Sequence, residues 1–336
     1  MNRVLIIAPP MVGDMVMSQA LLKLLKQQDP SCSIDIFSIA TLHDLLKHMP
    51  EVDNYLTCPF KHGELQLLER FKVAKAIKEK MYTHAYIIPS SFKSAIIPFL
   101  ANIPIRIGRL GESRYFVINN IRQAVTTKRT AVKLLVSLGV SNDSDLPTPM
   151  PRPKLSLSQK HLEKTLNKLK IDTPRKPILT ICPGAAFGKA KRWPTSHFAQ
   201  IAKKKKNDGW EVWILGGPDE VVAAQEIQIL SNNICTDFTG KTDLSDAIAL
   251  LSLSTVTVAN DSGLMHIAAS LDKAVVAIYG PTSPEFAPPL TNKTRSLSLN
   301  LACSPCRKPK CKLQHMKCLN DLHPTLVLQA IEELSI

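Results

Sequence analysis

Long apolar runs are missing from this 336-residue chain. The longest candidate, Ala95 to Ile105, is broken by Pro98 and Pro104 and falls short of the ~18 residues that a membrane-spanning helix needs. A secretory leader is missing too. Val4 to Ile7 is apolar and follows Arg3, but Pro9-Pro10 and Asp14 interrupt the run and no small-residue cleavage site follows, so a buried strand is the reading and the chain is expected to stay in the cytoplasm. Aromatic residues make up only 5%, and there is no zinc-finger histidine spacing, helix-turn-helix signal or aromatic-interleaved basic stretch to support nucleic-acid binding. The first strand is not followed by GxGxxG, and GxxxxGK(S/T) occurs nowhere. Dinucleotide and P-loop phosphate binding therefore have no motif. Acidic residues are scarce: 28 Asp and Glu against 42 Lys and Arg leave a net charge of +14, spread over both halves. That excess implies an anionic partner, whether nucleic acid, an acidic membrane face or a phosphorylated substrate.

What is present is an ordinary globular composition, 45% hydrophobic and 21% charged, at a length that suits two domains of ~150 residues. Strand-like and helix-like stretches alternate. Val4 to Ala8, Ile34 to Phe37 and Ala85 to Ile88 read as strands, and Met15 to Gln28 and the basic Leu65 to Lys80 as helices. Leu146-Pro147-Thr148-Pro149-Met150-Pro151-Arg152-Pro153 then forbids helix and forms an extended linker. Beyond it Ile178 to Ile181, Val212 to Leu215, Val256 to Ala259 and Ala274 to Ile278 are strands rich in branched residues, each followed by a Gly- or Pro-containing loop. Repeated βα units predict an α/β protein with two Rossmann-like, doubly wound parallel-sheet domains, 1–152 and 153–336, and a ligand site in a cleft at the strands' C-terminal ends. Lys203 to Lys206 reads as the solvated end of a helix.

Three loops could carry chemistry. Pro9 to Asp14 leads from the first strand into a helix; Gly13 would allow a tight turn, and Asp14 is either a general base or a helix N-cap. Cys182 to Pro194 holds Gly184 and ends in Lys189, Lys191 and Arg192 beside Trp193. It could lay backbone N–H groups and Lys191 against a phosphate, or it could be a surface loop with Trp193 tucked into the core. Asn260-Asp261-Ser262-Gly263-Leu264-Met265-His266 follows a strand and opens a helix, where Ser262 and Gly263 would present N–H groups to a pyrophosphate. His266, one turn in, could reach a ligand or be a satisfied half-buried side chain.

These stretches, with Ser91-Phe92-Lys93-Ser94 and Tyr279-Gly280-Pro281, are collinear over roughly residues 1 to 290 with the ADP-heptose:lipopolysaccharide heptosyltransferase family of GT-B glycosyltransferases, which the chain resembles. Within that family it is most similar to the enzymes that add the second heptose of the inner core. The resemblance implies an inverting, metal-independent enzyme that needs no cofactor and moves L-glycero-D-manno-heptose from ADP-heptose to the first heptose of a Kdo-lipid A core. It implies Asp14 as the base and Lys191 as the group that neutralises departing ADP. Gly13, Gly184, Arg192, Thr242, Leu244, Asp261, Ser262, Gly263, Leu264 and His266 fall at or near its donor-binding positions, with Thr242 and Leu244 where the adenine pocket would be. The N-terminal domain would hold the acceptor, for which Ser91, Lys93, Arg106, Arg109 and Arg114 form a cationic set suited to carboxylates and phosphates, each alternatively a plain solvated charge.

The resemblance leaves the cysteines unexplained. Cys303-x2-Cys306-x4-Cys311-x6-Cys318 gathers four of eight thiols, with His315 nearby. A structural zinc site, reduced thiols in a compact loop, and disulfides formed on oxidation are the three readings. The remaining positive charge would hold a monomeric enzyme peripherally against the anionic cytoplasmic leaflet of a Gram-negative inner membrane. Two rivals stand beside this reading: a relative with another heptose or hexose specificity, and a basic nucleic-acid-binding protein.

Overall fold

Branched apolar runs that bury both faces pair in parallel, because parallel strands need crossover helices and those helices cover the sheet. A computed structural model, describing residues 2–60, 63–123, 129–186 and 188–335, shows this twice. The chain divides into two units, Met1–Pro153 and Lys154–Ile336, within the proline-rich segment. In the first unit β1 (Arg3–Ile7), β2 (Ser33–Ser38), β3 (Asn54–Thr57), β4 (His84–Ile87), β5 (Ile105–Arg109) and β6 (Asn120–Arg122) form one sheet ordered β3-β2-β1-β4-β5-β6. The second unit holds β7 (Ile178–Cys182), β8 (Glu211–Ile214), β9 (Thr236–Asp237), β10 (Val256–Asn260), β11 (Ala274–Ile278) and β12 (Thr294–Leu297), ordered β12-β11-β10-β7-β8-β9. Every pairing is parallel. Two doubly wound parallel sheets, one in each unit, are what the βα repeats predict.

Strand order reverses once in each sheet, between β1 and β4 and between β7 and β10. At such a point neighbouring loops diverge to opposite faces and leave a crevice beyond the strands' carboxyl ends. Loops after β1 and β4, and after β7 and β10, therefore flank the two crevices. All the candidate loops except the one with Thr242 are among them or lie beside them.

The central strands agree with the sequence-based expectation to within a residue or two at each end, but β3, β5, β6, β9 and β12 were not anticipated. β5 carries Arg106 and Arg109, which interrupt its apolar pattern, while β3, β6, β9 and β12 are short or lie at sheet edges. The lysine run at the end of helix Thr195–Asn207 also differs from expectation. Lys203 and Lys204 are exposed, but Lys205 is buried, its ammonium 5.1 Å from the Trp210 ring centre and 3.2 Å from Asp208. Its aliphatic stem covers the indole, as long cationic side chains do. Among the described residues no helix is long and apolar enough to cross a membrane.

Candidate active site

The second unit builds its crevice from the β7 and β10 loops. Asn260, at the end of β10 and fully buried, ties them together. Its amide nitrogen donates to the Pro183 carbonyl at 2.7 Å, and its side-chain oxygen accepts from the Trp193 N–H at 3.1 Å. Trp193 in turn is core: its indole N–H donates to the Leu322 carbonyl at 2.9 Å and its ring packs edge-on against Phe198. The two readings of this loop therefore hold together, because the anchored tryptophan fixes the position from which Lys191 reaches forward. Lys191 Nζ lies 2.6 Å from Asp261 Oδ2 and 3.4 Å from the Asp261 carbonyl. Both side chains are mostly buried. Asn260→Ala would leave a buried carbonyl and a buried N–H unpaired, so we expect it to lower the unfolding free energy by about 3 kcal/mol. Chemical denaturation checks this; an unchanged unfolding midpoint would remove Asn260 as the tie.

Gly188 and Gly184 show how closely this loop is packed. Gly188 has φ +143°, and a Cβ there would meet the Pro309 carbonyl oxygen at 2.6 Å. A Cβ on Gly184 would meet the Glu220 carboxyl carbon at 2.7 Å. Glu220 receives the Gly217 N–H at 2.9 Å and lies 3.6 Å from Arg192, so its carboxylate faces the same crevice. Sequence reasoning missed Glu220, although Gly216-Gly217-Pro218-Asp219-Glu220 after β8 carries the strand, glycine turn and helix signal used elsewhere. Phe187 lies outside the described residues.

Buried polar atoms without a partner point to a ligand-binding edge, since native proteins leave few of them. Arg192 Nε, Thr239 Oγ1, Ser262 Oγ and Thr282 Oγ1 are such atoms, on the loops after β7, β9, β10 and β11. All four loops leave the same edge of the sheet. Ser262 precedes the helix Gly263–Ser270 and makes no side-chain cap, so the first N–H groups of that helix and a free hydroxyl sit beside the Lys191–Asp261 pair. Leu264 is half-buried in the first turn. Thr242 and Leu244 lie at the start of helix Leu244–Leu253, with Thr242 only weakly bonded to the Phe238 carbonyl at 3.5 Å.

His266 is buried in the turn behind them, and desolvation pushes its ring down to about 4, with Asp261 opposing and Lys191 adding to the shift. The ring is neutral at pH 7. Because the folded ring binds a proton less readily than an unfolded one, the unfolded chain takes up more protons between about pH 6.5 and pH 4. Stability is fully present above that window and falls as pH drops through it, by on the order of 3 kcal/mol. Denaturation of wild type and His266→Gln at about pH 7 and pH 4.5 checks the sign. The wild type should lose more stability than the variant on acidification; parallel losses would contradict it.

In the first unit, Asp14 is the third residue of helix Val12–Gln28, and its side chain is exposed. The N-cap is Met11, which makes no side-chain cap. Asp14 is therefore not the N-cap, and Gly13 is the second helical residue rather than a tight-turn glycine. Ser91 is the N-cap of helix Phe92–Leu100, across the β1–β4 switch point from Asp14's helix. Lys93, half-buried, follows it.

The arginines of the expected acceptor set are placed differently. Arg114 is wholly buried, and its guanidinium donates to the carbonyls of Pro89 at 2.8 Å, Ser91 at 3.0 Å and Arg109 at 2.7 Å, and to Ser94 Oγ at 3.0 Å. Arg106 donates to the Val117 and Ile103 carbonyls, and Arg109 to the Leu134 carbonyl. Five-donor guanidinium groups suit converging carbonyls as well as they suit anions. Arg106 and Arg109 are half-buried with guanidinium groups on backbone carbonyls, and Arg114, wholly enclosed, fastens the loop that carries Ser91.

The four C-terminal cysteines are free thiols, and among the described residues no three His, Cys, Asp or Glu side chains come together to hold a metal ion. The zinc reading gains no support. Their segment braces the loops after β7 and β11: the Pro309 carbonyl accepts from the Ala190 N–H, and the Arg307 N–H donates to the Pro281 carbonyl at 2.7 Å.

Comparison with known proteins gives these features a context. Residues 70–317 match the model for glycosyltransferase family 9 (heptosyltransferase). The chain is 38% identical to lipopolysaccharide heptosyltransferase 2 of Escherichia coli K12, covering 99% of this chain and 98% of the relative. It is 37% identical to lipooligosaccharide heptosyltransferase 2 of Haemophilus influenzae, covering 98% and 99%. The solved structure of E. coli ADP-heptose lps heptosyltransferase II superposes with a TM-score of 0.88 at 34% identity, over 100% of this chain and 98% of that one. A family 9 structure from Veillonella parvula, 19% identical with a TM-score of 0.83, shares the fold. Two parallel sheets with loops gathered at their switch points, and matches that run the length of the chain, place it as a member of glycosyltransferase family 9, the heptosyltransferases.

Proposed function

We propose that the enzyme moves L-glycero-D-manno-heptose from ADP-heptose to the first heptose of a lipid-anchored Kdo inner core, with inversion at the anomeric carbon. The observation that carries this reading is the match to the E. coli and Haemophilus heptosyltransferases 2 over 98–99% of the chain, which takes in both site-bearing units. In this reading the second unit binds the donor. Lys191 and the first N–H groups of helix Gly263–Ser270 meet the diphosphate, and the orphaned Ser262, Thr282 and Arg192 atoms gain partners from it. Glu220, a carboxylate that can only accept, suits the ribose hydroxyls. Thr242 and Leu244 border the adenine.

Cleavage of the C1–O bond sends negative charge onto departing ADP while the sugar becomes oxocarbenium-like. Fixed donors aimed at that oxygen stabilise the charge as it develops. A sugar hydroxyl is a weak nucleophile, so Asp14 accepts its proton as the hydroxyl attacks C1 from the face opposite ADP. Ser91 and Lys93 contact the acceptor, and Arg114 sets the shape of their loop. The enzyme works as a monomer at the cytoplasmic face of the inner membrane. Release of the nucleoside diphosphate (ADP from ADP-heptose or ADP-glucose, UDP from UDP-glucose), measured against cores truncated before and after the first heptose, tests the assignment. Turnover only with ADP-heptose and the single-heptose core is expected; preference for a hexose donor or a heptose-free core would replace it with another specificity in the family.

A further inference from the structure

All the exposed aromatic side chains among the described residues lie in the first unit, between Tyr55 and Phe116. Five of the six lie on three adjoining segments. Helix Leu67–Lys78 turns Arg70, Ala74 and Ile77 inward and leaves Leu68 and Phe71 outside, Leu68 at 79% exposure. Helix Phe92–Leu100 opens on an exposed Phe92, and the chain after β5 ends in Tyr115 and in Phe116 at 88% exposure. Polar contacts hold the three side by side. Arg70 donates to the Leu65 and Lys93 carbonyls at 2.6 and 3.0 Å, Glu112 accepts the Phe92 N–H at 2.7 Å, and Arg114 reaches the Ser91 carbonyl. The fold therefore fixes an apolar surface in water at its own expense, which monomeric soluble proteins seldom do without a partner.

Charge selects the partner. Continuing from Leu68 and Phe71 at helical spacing, the same outer face carries Lys72, Lys75 and Lys78. Among its acidic residues Glu69 pairs with Lys72 at 2.9 Å and Glu112 caps the neighbouring helix, while Glu79 at the helix end is exposed. Aromatic and leucine side chains bordered by long, flexible lysines match the boundary between acyl chains and anionic headgroups, where rings insert shallowly and ammonium groups stay with phosphates. We propose that this face, formed by Leu68, Phe71, Phe92, Tyr115 and Phe116 with Lys72, Lys75 and Lys78, docks the enzyme on an anionic phospholipid bilayer. The inference rests on the lipid-anchored acceptor proposed above for its purpose, but its test does not. Docking would put the β4 and β5 loops, which carry Ser91 and Lys93, at the lipid surface where such an acceptor stands.

Flotation of the full chain with acceptor-free vesicles of phosphatidylglycerol and phosphatidylethanolamine, against phosphatidylcholine alone, tests it. The protein should float with the anionic vesicles and not the zwitterionic ones. Leu68→Ser/Phe116→Ser, fully exposed positions whose substitution leaves the unfolding midpoint in place, should lower the bound fraction about tenfold. Lys72→Gln/Lys75→Gln should give a smaller loss and flatten the salt dependence. Turnover of a deacylated, water-soluble core should be unchanged in both variants, while turnover of vesicle-embedded core falls in step with binding. No flotation of the wild type, equal flotation of the variants, or concentration-dependent dimerisation abolished by Phe116→Ser would each overturn the proposal. Flotation without heptosyl transfer to either core would leave docking standing and remove the function, and transfer to soluble core without flotation would do the reverse.

Discussion

Asp14→Asn is expected to lower turnover by roughly 10²–10⁴-fold or more while ADP binds as it does to the wild type. The substitution keeps the side chain's shape and changes its capacity to take a proton. The N-cap is Met11 rather than Asp14, and the contact that Ser18 Oγ makes at 2.6 Å is to the Asp14 backbone carbonyl, which the substitution leaves in place. Loss of activity would therefore report on proton transfer rather than on folding. The residues proposed to bind the donor belong to the other unit, which folds around its own core. Turnover and calorimetric ADP titration on the same preparation separate the two effects. Full activity in Asp14→Asn would take Asp14 out of the mechanism, and loss of ADP affinity would mean that its role is structural.

Lys191→Met is expected to reduce both kcat and ADP affinity, with kcat falling about 10²–10³-fold, because the departing diphosphate would lose the cation proposed to meet it. The variant also strips Asp261 of its 2.6 Å partner and leaves a mostly buried carboxylate facing apolar methionine. Removing one member of a buried pair typically costs about 3–5 kcal/mol. Stability and catalysis would then change together, and a single variant could not tell them apart. Lys191→Met/Asp261→Asn resolves this, since it removes the stranded charge. The double variant should recover most of the thermal midpoint and none of the activity. Recovery of turnover along with stability would show that Lys191 serves the fold and not the phosphate.

The sequence made the central strands legible because β1, β7, β10 and β11 bury both faces and so read as unbroken apolar runs. β5 escaped notice for a specific reason. Its arginines look like solvated charges until the carbonyls of Ile103, Val117 and Leu134 are seen to receive them. Arg114 is the extreme case: one residue type serves an exposed anion site or a wholly enclosed carbonyl cluster, and only tertiary structure distinguishes them.

The Lys191 and Asp261 loops were legible because glycine, proline and a cation or carboxylate stand together at a strand's end, a combination that core packing does not call for. Asp14 was legible as a position but not as a role, since whether an aspartate at a helix start is a cap depends on which residue precedes the first turn. Thr239 and Thr282 were invisible for a different reason. An isolated threonine in a loop is common, and what distinguishes these two is a buried hydroxyl left without a partner.

The excess of basic residues also divides by structure. Arg106, Arg109 and Arg114 bind backbone, Lys205 covers Trp210, Lys191 and Arg192 line the donor crevice, and Lys72, Lys75 and Lys78 face outward. Of these, Arg114 is enclosed by carbonyls and Lys205 is buried, so neither faces anionic partners. A net charge read from composition therefore overstates what is free to attract them.

Transfer itself is the most direct test of the central claim. The purified enzyme, ADP-L-glycero-D-manno-heptose and a lipid A–Kdo core bearing a single heptose are incubated, and the product is examined by mass spectrometry and by NMR at the new anomeric centre. The account predicts a gain of one heptose residue, released ADP in equal amount, and an anomeric configuration opposite to the donor's. Retained configuration, or no gain of heptose while ADP still binds, would contradict it.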